Sequence, residues 1–494
     1  MAGPVFASNF PSTGAWIARE HAEHRGDRRR KQNTTSMRRG VPMFRAVHPS
    51  AIRRPACTGD RGDADAGQPV AARSGDSRFV RISRDFLPCA MWYDLIEQQR
   101  QWLRTWNAAA RFTRGLWPDA ASSCYADLFE PLLDLPADAP RFAVDSVDVD
   151  GRRVDVDESI VAHTPFCTLR RFARADAQRM ILLCVPLAGH AAVMMRETVE
   201  TLLADGDVCV TDWTDARDVP CGAGRFGLDE YVSMLDRFID TLLADARPVH
   251  VVAVCQATFP SLGAIALRAQ RDAALPASLT LIGGPLDARI NPGALGTAAR
   301  SHSLDWCRAT LIDTVPHGFA GYGRQVFPAY LQRAEIAVTY PQRYMALVDR
   351  YRRAVSGADA DALATARRAL REYLTLLDMP AEYFLDTVDI VFQRACLANR
   401  TWHVHGQRVE PAALRSIVLL TVEGKCDAVT GAGQTHAALA MCSGLAADAR
   451  QRVDIDDCDH YGLFTGDHWH ADVHPVLQAA FARAERGRLR SCAA

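Results

Sequence analysis

Between residues 180 and 282 the chain repeats one unit, a short apolar run followed by a turn and a helix-length segment. The runs at 180–185, 208–211, 249–254 and 279–282 have the length of strands buried on both faces. Segments 191–203 and 228–244 lie between them, and the second carries apolar residues at helical spacing. A further helix is expected from Ser261 onward. Strands joined in this way cannot pair as tight hairpins; their crossovers build a parallel sheet with helices on both faces. Upstream, residues 142–174 alternate apolar and polar about an Asp150-Gly151 turn, as a hairpin or meander does.

The rhythm stops after residue 290. From 291 to 408 there is no clear strand, only helical runs at 341–354, 359–377 and 381–397. It resumes with a strand at 416–421, a helix at 435–442, a strand at 452–455 and a last helix from 473. The expectation is an α/β fold in two parts, 91–290 and 409–494. A helical cap or lid, 291–408, interrupts them and covers the strand ends where ligands bind in this architecture.

Residues 1–90 differ from the rest. They hold a net charge of +8 against −9 for the remainder, and an Arg28-Arg29-Arg30-Lys31 run with no apolar stretch behind it. That is not a secretory signal. It reads as a basic, disordered extension that touches an anionic surface, or as an over-extended start with Met91 as the natural one. The net charge of −1 favours neither nucleic acid nor a strongly acidic partner, and no run approaches a transmembrane length. The fourteen cysteines show no C-x-x-C pair, which favours a reducing cytoplasm over a disulfide or zinc framework.

The third strand carries the chemistry. His250-Val-Val-Ala-Val-Cys-Gln-Ala-Thr-Phe259 runs apolar into a turn with Cys255 at its tip, the layout of a nucleophile elbow with sulfur as nucleophile. Crowding there demands small flanking residues, and Ala253 and Ala257 supply them. A lone cysteine after a strand is more often a buried apolar residue. Two later residues change that balance. Asp427 follows the 416–422 strand and His460 follows the 452–455 strand, giving the order nucleophile, acid, histidine. His460 would take the Cys255 proton, and Asp427 would orient the ring. Asp459 and Glu423 compete for the acid role; Asp459 adjoins the histidine, and Glu423 lies early enough to support the loop instead. The oxyanion donors expected are the backbone N–H of Gln256 and that of Leu187 or Ala188, in the loop after the 180–185 strand. His190 in the same loop reads equally well as a turn histidine that is solvated or bonded to a helix cap.

Other motifs are weak. His468, His470 and His474 lie without an H-E-x-x-H or Cys/His grid, so surface histidines are favoured over metal ligands. No dinucleotide or Walker loop is present, and no cofactor or metal is expected. Phe327, Tyr330, Tyr383 and Phe384 read mainly as cap core.

The chain resembles the intracellular poly(3-hydroxybutyrate) depolymerases, a cysteine-nucleophile branch of the α/β-hydrolases. The resemblance runs from about Met91 to Phe481. It includes Met91-Trp-Tyr-Asp-Leu95, Pro165-Phe-Cys-Thr-Leu169, Thr198-Val-Glu-Thr-Leu202 and Thr211-Asp-Trp-Thr-Asp-Ala-Arg-Asp-Val-Pro220. Further on it includes the Cys255 elbow, Leu281-Ile-Gly-Gly-Pro-Leu-Asp-Ala-Arg-Ile-Asn-Pro292, Thr387-Val-Asp-Ile-Val-Phe-Gln393, Thr421-Val-Glu-Gly424 and His460-Tyr-Gly-Leu-Phe464. It implies the α/β-hydrolase fold, a triad of Cys255, Asp427 and His460, and cytoplasmic hydrolysis of amorphous storage polyester at a granule surface. Two departures stand out: Ala188 where the family tends to have serine, and a single aspartate at Cys426-Asp427-Ala428. The competing functions are a polyhydroxyalkanoate synthase-like acyltransferase, against which Ala253 and Ala257 count, and a non-catalytic granule-binding protein.

Overall fold

The computed structural model describes residues 93–102, 105 and 140–492, apart from 340 and 358. The basic segment 1–90 and its alternative start at Met91 lie outside the described residues. Strands β1 (Ser146–Val149), β2 (Arg152–His163) and β3 (Cys167–Arg174) form an antiparallel meander. It turns at Asp150 and Gly151, both at positive φ, the backbone an Asp-Gly hairpin turn requires. β3 then pairs antiparallel with β5 (Asp207–Trp213). From there the sheet is parallel through β4 (Met180–Cys184), β6 (Val249–Val254), β7 (Ser278–Ile282), β13 (Val418–Gly424) and β14 (Arg450–Ile455). The full order is β1-β2-β3-β5-β4-β6-β7-β13-β14.

Composition explains the layering. Every residue of β4, β6 and β7 is buried, so these strands need apolar side chains on both faces. Truncating Leu182 or Leu183 to alanine in that layer costs about 2–5 kcal/mol. His250 is polar and yet fully buried because Ser278 Oγ (2.7 Å) and Glu485 (3.2 Å) satisfy its ring. The covering helices are α1 (Arg196–Leu203), α2 (Leu228–Leu243), α3 (Thr258–Gln270) and α11 (His474–Cys492). α2 begins where the Glu230 carboxylate accepts the Gly227 N–H at 2.7 Å.

The order positions a site. The chain steps from β4 outward to β5, then returns to place β6 on the other side of β4. Connections leaving β4 and β6 diverge, opening a crevice at their carboxyl ends. The Val185–His190 loop follows β4 and Cys255 follows β6.

The insertion between β7 and β13 is mostly helical: α4 (Gly293–Ser301), α5 (Leu304–Leu311), α6 (Ala329–Thr339), α7 (Pro341–Ser356), α8 (Ala360–Leu374) and α9 (Ala381–Asp386). It differs from expectation in three ways. It contains strands, β8 (Asp313–Thr314), β9 (Gln325–Phe327) and β10 (Met379–Pro380) in one small antiparallel sheet, and a β11–β12 hairpin (His403–Val404, Gln407–Arg408). The helix expected to reach 377 stops at Leu374, because residues 375–377 extend to bond the loop after β4. The helix expected over 381–397 becomes α9 followed by a π-helical stretch, Thr387–Gln393. α7 and α8 pack as a hairpin around Leu347, Tyr351, Leu370 and Tyr373, with Tyr461 and Met194 against them. α10 (Ala437–Met441) lies between β13 and β14 in sequence.

Candidate active site

Cys255 stands immediately after the last residue of β6, in the left-handed region at φ +53. Holding a side chain there costs on the order of 1–3 kcal/mol and exposes it at the turn's tip. The surroundings enforce it. Ala253 and Ala257 are fully buried on either side, and α3 starts at Thr258, three residues earlier than the sequence suggested. The backbone after β7 presses against the turn: a Cβ on Gly284 would lie 1.8 Å from Thr258 Oγ1 and 2.5 Å from the Cys255 carbonyl oxygen.

Asp427 and His460 meet beside it. His460 Nδ1 lies 2.7 Å from Asp427 Oδ2, and the other carboxylate oxygen accepts the N–H groups of Val429 (2.7 Å) and Thr430 (2.9 Å). Thr430 Oγ1 in turn donates to the Gly283 carbonyl at 2.8 Å. Burial of the imidazole pulls its pKa down. The facing Asp427 carboxylate, the charge on Cys255 and hydrogen bonds to both outweigh burial and hold His460 well above the usual histidine range. The arrangement favours the protonated imidazole, bonded through Nδ1 to the Asp427 carboxylate.

The rival acids do other work. Glu423 accepts the N–H groups of Gly433 (2.6 Å), Thr435 (2.7 Å) and His436 (2.9 Å), supporting the turn that leads into α10. Asp459 accepts the Gly462 N–H at 2.7 Å, closing a turn after His460.

Leu187 is buried and Ala188 half-buried in the loop after β4. Neither of their N–H groups, nor that of Gln256, donates to another group among the described residues. The loop is fixed from the cap side: Leu377 N–H donates to Gly189 O (2.6 Å) and Ala191 N–H to Thr375 O (3.1 Å). His190 is not solvated. It is 8% exposed, pairs with Leu376 in a β-bridge and lies 3.4 Å from the Tyr461 hydroxyl. Burial pushes its pKa down to about 4, with Arg333 and Arg343 adding to the effect, so the ring is neutral.

Sequence reasoning missed Gly283 and Tyr461, and read Tyr383 mainly as cap core. A Cβ on Gly283 (φ +55) would sit 3.4 Å from His460 Cε1 and 3.5 Å from Asp427 Oδ2. Burial and the neighbouring Cys255 charge push the Tyr383 hydroxyl's pKa up; burial, Tyr373 and Cys255 do the same to Tyr461. Tyr461 adjoins His460 in sequence, which is a usable signal; Tyr383 offers none.

His468, His470 and His474 each pair with a different carboxylate, Asp472, Glu197 and Asp205. Among the described residues, Glu423, His436 and Asp454 bring potential ligand atoms within 4.8 Å of one another. Glu423 already holds its three backbone donors and Asp454 is paired with Arg452 at 2.9 Å, so a metal there would compete with bonds the chain makes for itself.

The sheet order, the crevice beside β4 and β6, and a cysteine, an aspartate and a histidine on the loops after β6, β13 and β14 define the α/β-hydrolase fold. Residues 283–485 match the family model described as the PHB de-polymerase C-terminus, which supports a hydrolase of the PHB-depolymerase type. That stretch contains Asp427 and His460 and begins after Cys255. No curated protein sequence matches the chain. Among solved structures, the chain is similar to an α/β-hydrolase fold protein from Nakamurella multipartita (18% identity, 69% of this chain and 98% of that one, TM-score 0.35). It is also similar to a monoacylglycerol lipase from Paleococcus ferrophilus (12%, 65% and 96%, TM-score 0.37). A third is the 2-hydroxy-6-oxo-6-phenylhexa-2,4-dienoate hydrolase of Rhodococcus sp. strain RHA1 (15%, 67% and 99%, TM-score 0.35). At these scores the strand order itself, not the likenesses, carries the fold. No helix among the described residues is long and apolar enough to cross a membrane.

Proposed function

We propose that the chain is an intracellular polyhydroxybutyrate depolymerase that hydrolyses the ester bonds of amorphous storage polyester by covalent catalysis at Cys255. His460 holds the thiol proton, leaving a thiolate that attacks the ester carbonyl. The N–H groups of Gln256 and of Leu187 or Ala188 stabilise the tetrahedral oxyanion. As it collapses, the ester C–O bond breaks, His460 returns the proton to the leaving alkoxide, and a thioester to Cys255 remains. Water, deprotonated by His460, attacks the thioester; the carboxylic acid leaves and the thiol is restored. Asp427 keeps Nδ1 protonated, so Nε2 does the proton transfers.

The observation that carries this reading is the His460–Asp427 hydrogen bond of 2.7 Å beside a cysteine held in left-handed backbone at a strand end. The family match over 283–485 favours the depolymerase chemistry over the synthase-like one. The substrate, the granule surface and a cytoplasmic location follow from the resemblance and are part of the proposal. The test is release of 3-hydroxybutyrate from amorphous granules by purified protein. Wild type releases it and Cys255→Ala does not. Equal release by both variants overturns the mechanism, and polymer growth from 3-hydroxybutyryl-CoA overturns the reaction.

A further inference from the structure

A cavity of about 240 Å³ lies between the helix of residues 93–102, the end of β5 and the cap, with Arg100, Arg217 and Arg333 in its wall. Each of the other charged groups in the wall has hydrogen bonds or ion pairs to its neighbours. Arg100 makes two hydrogen bonds of 2.7 Å to Glu97. Arg217 lies 3.1 Å from Asp215 and 3.7 Å from Asp218. Asp215 accepts the Arg217 and Asp378 N–H groups at 3.1 and 3.2 Å. Asp378 accepts the Tyr93 hydroxyl and, at 2.8 Å, the Ala329 N–H.

Arg333 is different. Its Nη2 reaches the Leu374 carbonyl at 3.3 Å, its buried Nε has no partner, and no carboxylate pairs with it among the described residues. Burial and the like charges of Arg100 and Arg217 hold its pKa down to about 10, so it is still cationic at neutral pH. A half-buried guanidinium whose Nε has no partner carries a desolvation cost, and an incoming anion lowers it. A guanidinium fork matches a carboxylate or phosphate.

Size and lining select between them. The volume falls below the roughly 300–1,000 Å³ of drug-sized sites. Ile96, Leu376 and Leu377 add apolar wall that a short alkyl chain can cover and phosphate cannot use. From these residues we propose that the cavity binds a small monocarboxylate, its carboxylate on Arg333 and its chain against Ile96, Leu376 and Leu377. The site is separate from the Cys255 crevice. It sits behind the loop after β4, since residues 375–377 form one wall of the cavity and bond Gly189–Ala191 on their other side.

The test is isothermal titration of the full-length protein with sodium butyrate and, separately, inorganic phosphate at matched ionic strength. Wild type and Cys255→Ala bind butyrate saturably at one site. Arg333→Gln weakens it about tenfold or more, the loss of one charge-assisted hydrogen-bonding partner. Because the change removes a half-buried charge that no carboxylate pairs among the described residues, the variant should melt at or above the wild-type temperature. Absence of saturable butyrate binding overturns the proposal, as does undiminished binding by Arg333→Gln or binding of phosphate without butyrate. Should the variant fail to fold, a crystal structure of the wild type with butyrate decides: density against Arg333 supports the site, and density only elsewhere overturns it.

Discussion

Replacing Asp427 by asparagine isolates the electrostatic half of the proposed triad. One carboxylate oxygen accepts two backbone N–H groups, from Val429 and Thr430, and only the other faces His460. Asparagine keeps the first pair by placing its carbonyl oxygen there. Its amide nitrogen must then face Nδ1, and an N–H donor requires an unprotonated Nδ1 opposite it. The ring is driven to the tautomer with hydrogen on Nε2, which cannot accept the Cys255 proton. His460 also loses the carboxylate that outweighs its burial, so its pKa drops. A tautomer error of this kind lowers kcat about 10⁴-fold in a serine triad, or about 5.5 kcal/mol of barrier. We expect a fall of about 10³–10⁴ here, with stability changing by only about 1–3 kcal/mol, the worth of one hydrogen bond to a charged group. The assay is the initial rate of 3-hydroxybutyrate release, alongside the pH dependence of iodoacetamide alkylation at Cys255. Activity within tenfold of wild type, or unchanged alkylation at neutral pH, would refute the reasoning.

Glu423→Gln should behave in the opposite way: it disturbs three buried N–H contacts, costing about 1–3 kcal/mol and lowering the melting temperature, while kcat stays within a few-fold. Gly284→Ala should destabilise by about 1–3 kcal/mol and abolish turnover, because its methyl group would displace Thr258 and the Cys255 carbonyl; steady-state kinetics with thermal melting checks it. The raised His460 pKa has a definite sign in stability. The Asp427–His460 pair contributes fully below the unfolded histidine value of about 6.5 and is lost as pH rises through the higher folded value. Denaturant titrations should show wild type losing its advantage over Asp427→Asn across that interval, and an advantage that grows with pH would contradict the assignment.

Much of this was legible because the informative residues lie where local pattern is strong. β4, β6 and β7 are short, mainly apolar runs; Cys255 follows β6 directly, and Asp427 and His460 each follow a later strand within a few residues. The cap was less legible. Two- and three-residue strands such as Asp313–Thr314 and Gln325–Phe327 carry no period, and the pairing of Gln325–Phe327 with Met379–Pro380 is set by contacts more than fifty residues away in sequence. The end of α8 at Leu374 follows from hydrogen bonds to the loop after β4, a partner invisible to helical spacing. Tyr93 donating to Asp378, 285 residues away, and Arg333 standing without a carboxylate among the described residues are likewise products of the assembled fold. His190 looked like a turn residue because nothing in Gly189-His190 announces the Leu376 bridge that buries it.

The central claim is a covalent thioester at Cys255. Rapid acid quench of the protein with a 3-hydroxybutyrate oligomer, followed by peptide mass spectrometry, tests it directly. The account predicts a 3-hydroxybutyryl adduct on the Cys255 peptide that accumulates in the wild type, is lost on hydroxylamine treatment and is missing from Cys255→Ala. Turnover with no adduct on Cys255, or with the adduct on another residue, would contradict it.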